Sequence, residues 1–560
     1  MMNLTIIDFE LFKVVGPVLV VLLAFVLSRT RSKWVQQLEY RVGVLARRQG
    51  LSVLLVGILT FLGSVAVSLL VRLPVPTIPD EYSYLLAADT FASGRLSNPP
   101  HPMWVHFESY YILQQPVYVS KYPPMQGLML ALGQLTTGYP IVGVWLSIAL
   151  MCSAICWMLQ AWMPPRWALL GGVLAMLHIG IASYWSQSYW GGALSACGGA
   201  LLFGGLRRVI QQPHIRDALL LGIGLVILAN SRPYEGLLAS IPSAILLLIW
   251  IIGQRGAALT IALQRVVLPL LIVLTLAGLA TAYYNWHITG NPLMLPYQLY
   301  EDKYSPVPNM VWQSPRTDIV YNHQVMHDMY ADLLSWYLTY YRSLPRLAMA
   351  AWIKIKVFWL FYLGAALTLP LVAFRETLKD RWMIFALLSC GLVLIGFLLT
   401  TYTHSHYPAP VTALIFAIVL QSLRHLRCWR WRAGGTGRWI VWLIPMFYVV
   451  LLVLRVQADA LSTQAYHWSA YRAQLQQQLS ESQARHLIIV RYGSEHALGS
   501  EWVYNRADID QAKVVWAREM DMAHNCALIN YFRDRQIWLL IVDNDELPPQ
   551  LLPYTTKACR

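Results

Sequence analysis

Apolar runs of about 20 residues, the length that spans a bilayer core as a helix, recur along the chain between short polar connections. They fall at 12–28, 50–72, 140–162, 166–184, 190–206, 217–230, 236–253, 266–286, 349–373, 382–401, 407–423 and 438–456. The pattern predicts about twelve transmembrane helices. Run 217–230 is short, and run 349–373 carries Lys354 and Lys356. The first run has no basic segment ahead of it and no small-residue cleavage site, so it reads as a retained span. After 456 the pattern changes. Mixed polarity over 457–485 predicts a helical linker. The segment 486–560 predicts a small α/β domain, with strands at 486–490 and 537–542 and helical spacing over 517–532. The expected fold class is a polytopic α-helical membrane protein, residues 1–456, followed by that domain.

Charge gives the expected sidedness. Arg29, Arg31, Lys33, Arg41, Arg47 and Arg48 occupy the first connection. Further basic groups sit at Arg166, at Arg207, Arg208 and Arg216, at Arg255 and Arg265, at Arg375, Lys379 and Arg381, and from Arg424 to Arg438. If the spans alternate, all of these lie on one side, which the positive-inside rule makes cytoplasmic. The N-terminus, the loops 73–139 and 287–348, the turn at Thr403–Tyr407 and the tail then face outward, periplasmic in a bacterial inner membrane. The 560 residues are 57% hydrophobic and only 12% charged, against about 25% charged in soluble domains. The net charge of +14 comes from short loops between apolar runs, which argues against a nucleic-acid partner. Of seven cysteines, Cys526 and Cys559 lie in the tail and could pair in an oxidising compartment.

Candidate chemistry gathers on the outer side. Pro79-Asp80-Glu81 opens an amphipathic helix that Gly94 ends, with Asp80, Tyr84, Ala87, Ala88 and Phe91 on one face. Asp80 in the first turn is favoured in its ionised form by the helix dipole. It could serve as a general base, with Glu81 orienting an acceptor or a metal; both could instead simply cap the helix. Lys121 precedes the rigid Tyr122-Pro123-Pro124 turn, where it could neutralise a phosphate or snorkel to headgroups. Arg232, in Asn230-Ser231-Arg232-Pro233-Tyr234-Glu235, could bind phosphate or pair with Glu235. His404, His406 and Tyr407 could hydrogen-bond a sugar or phosphate. His323 and His327 are spaced i, i+4 in a loop whose Tyr297, Tyr300, Tyr304 and Tyr321 could cap a site. In the aromatic turn 184–192, Gln187 or Trp190 could line a cavity. A divalent cation stays open, because both histidine pairs supply two ligands without a clear third.

An Asp-Glu start to the first outer loop, Tyr84 and Ala88 on its helix, Gly94, and Lys121 before Pro123-Pro124 together resemble the GT-C class of lipid-dependent glycosyltransferases. The resemblance is to the protein O-mannosyltransferase and aminoarabinose transferase branch, glycosyltransferase families 39 and 83. Common members read Lys-Pro-Pro, whereas Tyr122 intervenes here, and this chain has an extra span before the loop. The resemblance implies a GT-C-like fold. It also implies a polyprenyl-phosphate-linked sugar donor, an outer-face acceptor (lipid, polysaccharide or protein) and inverting attack with Asp80 as base. A transporter or flippase for lipid-linked glycans is a weaker expectation, since no repeats or mid-membrane charges are evident. A ligase or scaffold for envelope polymers is a third.

Overall fold

The computed structural model describes residues 4–30, 33–430, 435–461, 468–543, 548–555 and 559. Among them, eight helices are long and apolar enough to cross a membrane, and a bent pair would make nine. The eight are Gln49–Leu70, Ile141–Trp162, Ala193–Gln211, Pro233–Ile252, Ala257–Thr289, Arg381–Leu399, Ala409–Arg427 and Thr436–Ala460. The chain is thus a multi-pass helical membrane protein, and each of these helices coincides with an expected span.

The other four expected spans differ for local reasons. Run 12–28 lies in the helix Leu4–Leu27, whose apolar part is Leu11–Leu27. Run 166–184 is the helix Pro165–Ala175 continued by a π-turn, Met176–Gly180. Run 217–230 is the helix Ile215–Ala229, 15 residues long and short of a full bilayer. Run 349–373 breaks into Leu344–Tyr362 and Gly364–Thr377, bent by 88°, with Gly364 at φ +55°. Lys354 is tolerated in this apolar stretch because its ammonium donates to the carbonyls of Phe397, Leu398 and Thr400. Those carbonyls end a neighbouring helix, where the dipole favours a cation.

The long connections are built on these helices. The helix Pro79–Ala92 starts with Pro79 and carries Asp80 and Glu81 in its first turn; Gly94 follows it at φ +72°. Its Ala87 and Phe91 pack on Gly127 of the helix Pro124–Thr137. Its Tyr82 stacks on Tyr504 of the tail, ring centroids 4.1 Å apart. The loop after Thr289 contributes the helices Pro296–Tyr304 and Gln324–Tyr341.

The tail forms a four-stranded sheet in the order Val514–Arg518, His486–Tyr492, Gln536–Val542, Gln550–Pro553. The first three strands are parallel and the last is antiparallel. Both expected strands are present, but the expected helix over 517–532 starts later. Ala517 and Arg518 pair with Ile489 and Val490 as strand. The helix is Met522–Tyr531, because the Asp521 carboxylate accepts the His524 N–H at its N-terminus. A disulfide joins Cys526 to Cys559. The linker helix is Trp468–Glu481, and Ser462–His467 of the expected linker lie outside the described residues.

One close backbone approach sets the position of the outer turn. A Cβ on Gly199 would stand 1.7 Å from the carbonyl oxygen of Pro410, so the helix Ala193–Gln211 can meet the chain just after Tyr407 only with glycine there. Gly199→Ala should cost about 1–3 kcal/mol of stability through overpacking. It should lower the thermal midpoint of the detergent-solubilised protein; an unchanged midpoint would show that the two elements separate freely.

Candidate active site

At one end of the helices lies a cavity of about 310 Å³. Five separate elements supply much of its polar lining. The helix Pro79–Ala92 gives Asp80 and Tyr84, and the following loop gives Tyr111, Lys121 and Tyr122. Ser231, Arg232 and Glu235 come from the start of a membrane helix. Tyr297 and Glu301 come from Pro296–Tyr304, and Tyr402, His404, His406 and Tyr407 from the turn before Ala409.

Lys121 is 4% exposed, and it does not reach outward to lipid. Its ammonium lies 2.9 Å from Glu301 Oε1. Tyr111, Tyr300, Tyr297 and Tyr122 surround it, with ring centroids 3.9, 4.7, 4.8 and 5.4 Å away. Such faces attract a cation most where water is excluded. Tyr111 is held at φ +65°, an unfavourable conformation for a bulky residue that persists only when surroundings enforce it. Its N–H donates to Tyr300 Oη at 2.8 Å and its carbonyl accepts the Ser83 hydroxyl at 2.6 Å.

Across the cavity the guanidinium of Arg232 lies over the Tyr407 ring at 4.8 Å. No carboxylate forms an ion pair with it among the described residues, although Glu235 stands close enough to influence it electrostatically. Asp80 accepts the Tyr122 hydroxyl on Oδ1. His404 and His406 stack with rings parallel within 4° and centroids 5.2 Å apart. Trp190 packs edge-on against both, and the Tyr184 hydroxyl meets His406 Nδ1 at 3.0 Å.

No family model matches the sequence, and no curated protein matches it. The fold does match solved structures. ArnT from Cupriavidus metallidurans in the apo state aligns with 87% of this chain and 92% of its own, at a TM-score of 0.50 and 11% identity. The chain shares the fold of this ArnT. The same ArnT bound to undecaprenyl phosphate gives a TM-score of 0.48 at 11% identity over 87% of this chain and 92% of its own. An Archaeoglobus fulgidus oligosaccharyltransferase tethered to an acceptor peptide gives 0.43 at 10% identity, covering 87% of this chain and 68% of its own.

Within this fold, nine of the sequence-derived candidates line one cavity: Asp80, Tyr84, Lys121, Trp190, Arg232, Tyr297, His404, His406 and Tyr407. Glu81 does not. It is 1% exposed, and its carboxylate accepts the Thr77 N–H at 2.7 Å, the Thr77 hydroxyl at 3.1 Å and the Tyr189 N–H at 2.8 Å. That makes it a tie between the Asp80 helix and the aromatic turn. Burial pushes its carboxyl up from the ordinary range, against the pull of these hydrogen bonds. Gln187 is also outside the cavity, bonded to Ser68, Ser64 and Ile181, whereas Trp190 lines it.

His323 donates to the Val105 carbonyl at 2.7 Å, and His327 is exposed beside Asp328. Their i, i+4 spacing brings neither to the site, because His323 precedes the helix Gln324–Tyr341 as its cap. Of the four expected capping tyrosines, Tyr297 lines the cavity. Tyr300 and Tyr304 turn to Tyr330 and Glu108, and Tyr321 donates to the Tyr304 carbonyl. Among the described residues, no three His, Cys, Asp or Glu side chains stand close enough to hold a metal ion. Glu301, Tyr111 and Tyr402 join the site without having stood out in the sequence; only the tyrosine density of 297–304 hinted at the first.

Burial holds the His404 imidazole at about 4, below its ordinary 6.5, against a smaller upward pull from Asp80. Burial, with Arg232 adding to it, holds His406 well below the ordinary value too. Their unfolded forms bind protons that the folded forms reject. Stability from this source is present above 6.5 and is lost as pH falls through about 4. Thermal midpoints should therefore fall over that window, and His404→Gln should flatten the fall. An equally steep fall in the variant would show that His404 remains accessible to protons.

Proposed function

We propose that the chain is a glycosyltransferase that moves a sugar from a polyprenyl-phosphate carrier to an acceptor hydroxyl at the outer face of a bacterial inner membrane. The observation that carries this reading is the placement of the Asp80 carboxylate and the Arg232 guanidinium, which forms no ion pair, in one cavity at the helix ends. The basic connections support the orientation: Arg207 and Arg208 lie at the far end of the helix Ala193–Gln211, whose start lies beside Trp190.

The reaction needs a base, a stabilised leaving group and an apolar path for the lipid. Asp80 Oδ2 is the base that takes the acceptor hydroxyl proton. The acceptor oxygen attacks the anomeric carbon opposite the phosphate, the bond from that carbon to the phosphate oxygen breaks, and configuration inverts. The electron pair leaves with the lipid phosphate, whose charge Arg232 and Lys121 stabilise in a water-poor site. Tyr84 and Tyr407 hold the base and Arg232 in register, and His404 and His406, uncharged, offer hydrogen bonds to sugar hydroxyls.

An apolar groove of about 330 Å³ runs between the helices Ile215–Ala229 and Leu268–Thr289. A narrower space lies between them, sharing Lys121, Pro123 and Tyr297 with the cavity and Asn230, Thr281 and Asn285 with the groove. The mostly apolar lining of the groove suits an isoprenoid chain. ArnT, whose apo form shares the fold, has also been crystallised with undecaprenyl phosphate.

The test is consumption of lipid-linked sugars extracted from bacterial membranes, followed by mass spectrometry. Asp80→Asn should lower turnover by about 10²–10⁴-fold with folding intact. Arg232→Ala should lower kcat and also raise KM for the donor, while Glu81→Gln should reduce folded yield rather than turnover per folded molecule. Full turnover by Asp80→Asn would remove Asp80 as the base and move the role to another group, and no turnover by the unaltered chain would favour an assembly scaffold. Movement of intact lipid-linked sugar across the membrane would favour a flippase.

A further inference from the structure

Tyr122 is the residue that separates this chain from the usual Lys-Pro-Pro order, and the structure gives it a position beside the base. Its hydroxyl donates to Asp80 Oδ1. Its ring is stacked on Tyr84 at 4.5 Å and lies edge-on to Tyr111 at 6.2 Å. Its N–H donates to the Ser120 hydroxyl at 3.2 Å, and that hydroxyl meets Ser83 Oγ at 2.7 Å on the Asp80 helix. Pro123 follows directly, with Pro124 starting the next helix, so the backbone before it has little freedom. A long side chain fixed at both ring and backbone cannot swing away from the carboxylate.

We propose that Tyr122 is a positioning residue that fixes the base by engaging Oδ1 and leaving Oδ2 for the acceptor. The proposal rests on the reading of Asp80 as that base. Asp80 is faced by Tyr84 of its own helix, by Tyr111 and Tyr122 of the loop, and by His404 and Tyr407 of the turn. Arg232, Glu235, Lys121 and Glu301 are the charged groups of the remaining walls, and Lys121 and Glu301 are paired with each other. Burial first, and then the charge of Asp80, push the Tyr122 phenol well up, so it stays protonated and serves as a donor. The inserted tyrosine thus aims the base.

The experiment uses full-length protein in detergent and two readouts. The first is the split of kcat and KM on the extracted lipid-linked sugars. Tyr122→Phe keeps the ring stack and removes only the hydroxyl, so kcat should fall by up to about 10²-fold while KM for the donor and the thermal midpoint stay as they are. The second is the same substitution in the Asp80→Asn background, where it should cost nothing further, because a positioning residue acts only through the base. An unchanged kcat in Tyr122→Phe, or an equal loss in both backgrounds, would overturn the proposal. Full turnover by Asp80→Asn alone would remove the role of Asp80 as base, and a further loss on Tyr122→Phe in that background would show that Tyr122 acts without it.

Discussion

The ion pair between Lys121 and Glu301 joins two segments that are 180 residues apart in the chain, and the cavity takes its form from it. Neither partner is free to face water, with side-chain exposures of 5% and 11%. An isolated charge in such a place is costly, and breaking a buried pair leaves that cost uncompensated. The pair therefore forces the loop before Pro123 and the helix Pro296–Tyr304 to close together. Four tyrosine faces complete the enclosure. With Lys121 so engaged, Arg232, which lies over the Tyr407 ring and forms no ion pair among the described residues, is the more available cavity cation. A donor phosphate approaching Lys121 must instead share it with Glu301.

The same requirement extends to the tail. Glu108 is buried, and its carboxylate accepts the Tyr304 hydroxyl at 2.7 Å and the Asn322 amide at 2.8 Å. Its carbonyl accepts from Arg518, whose guanidinium also pairs with buried Glu501. Asp89, on the helix that carries Asp80, pairs with Arg506 at 2.7 Å and accepts the Ala507 N–H at 2.9 Å. The tail sheet is thus tied by charge and hydrogen bonds to the elements that form the cavity walls. Burial of Tyr82 and Leu86 in the same apolar cluster as the sheet adds a packing term to those ties. A domain joined only by a flexible linker would need none of these contacts.

Much of the layout is legible in the residues. Apolar runs have a length set by the bilayer, so the eight long spans and the polar outer loops follow from hydropathy. Local grammar is equally readable where one residue decides an outcome. Pro79 begins the Asp80 helix, Gly94 ends it, and Pro123-Pro124 stops one structure and starts another. Finer features escape the local pattern wherever a neighbouring element decides them. The break at Gly364, the π-turn after Ala175 and the strand ending at Arg518 all depend on what packs alongside.

Which candidate groups converge was decided by tertiary structure alone. Asp80 and Glu81 are adjacent in sequence and equivalent in type, yet a helix turns consecutive side chains about 100° apart. One carboxylate therefore enters the cavity, and the other is used up by Thr77 and Tyr189. Glu301 carries no sequence signal of its importance, since an isolated glutamate in a polar loop reads as solvated. By itself the sequence determined that this chain crosses a membrane many times and carries its polar candidate groups in the connections between spans, because hydropathy and charge act on each residue separately. Only the folded structure decided which of those groups share a cavity, because long-range contacts and the cost of burying an unpaired charge set partners that no local pattern contains.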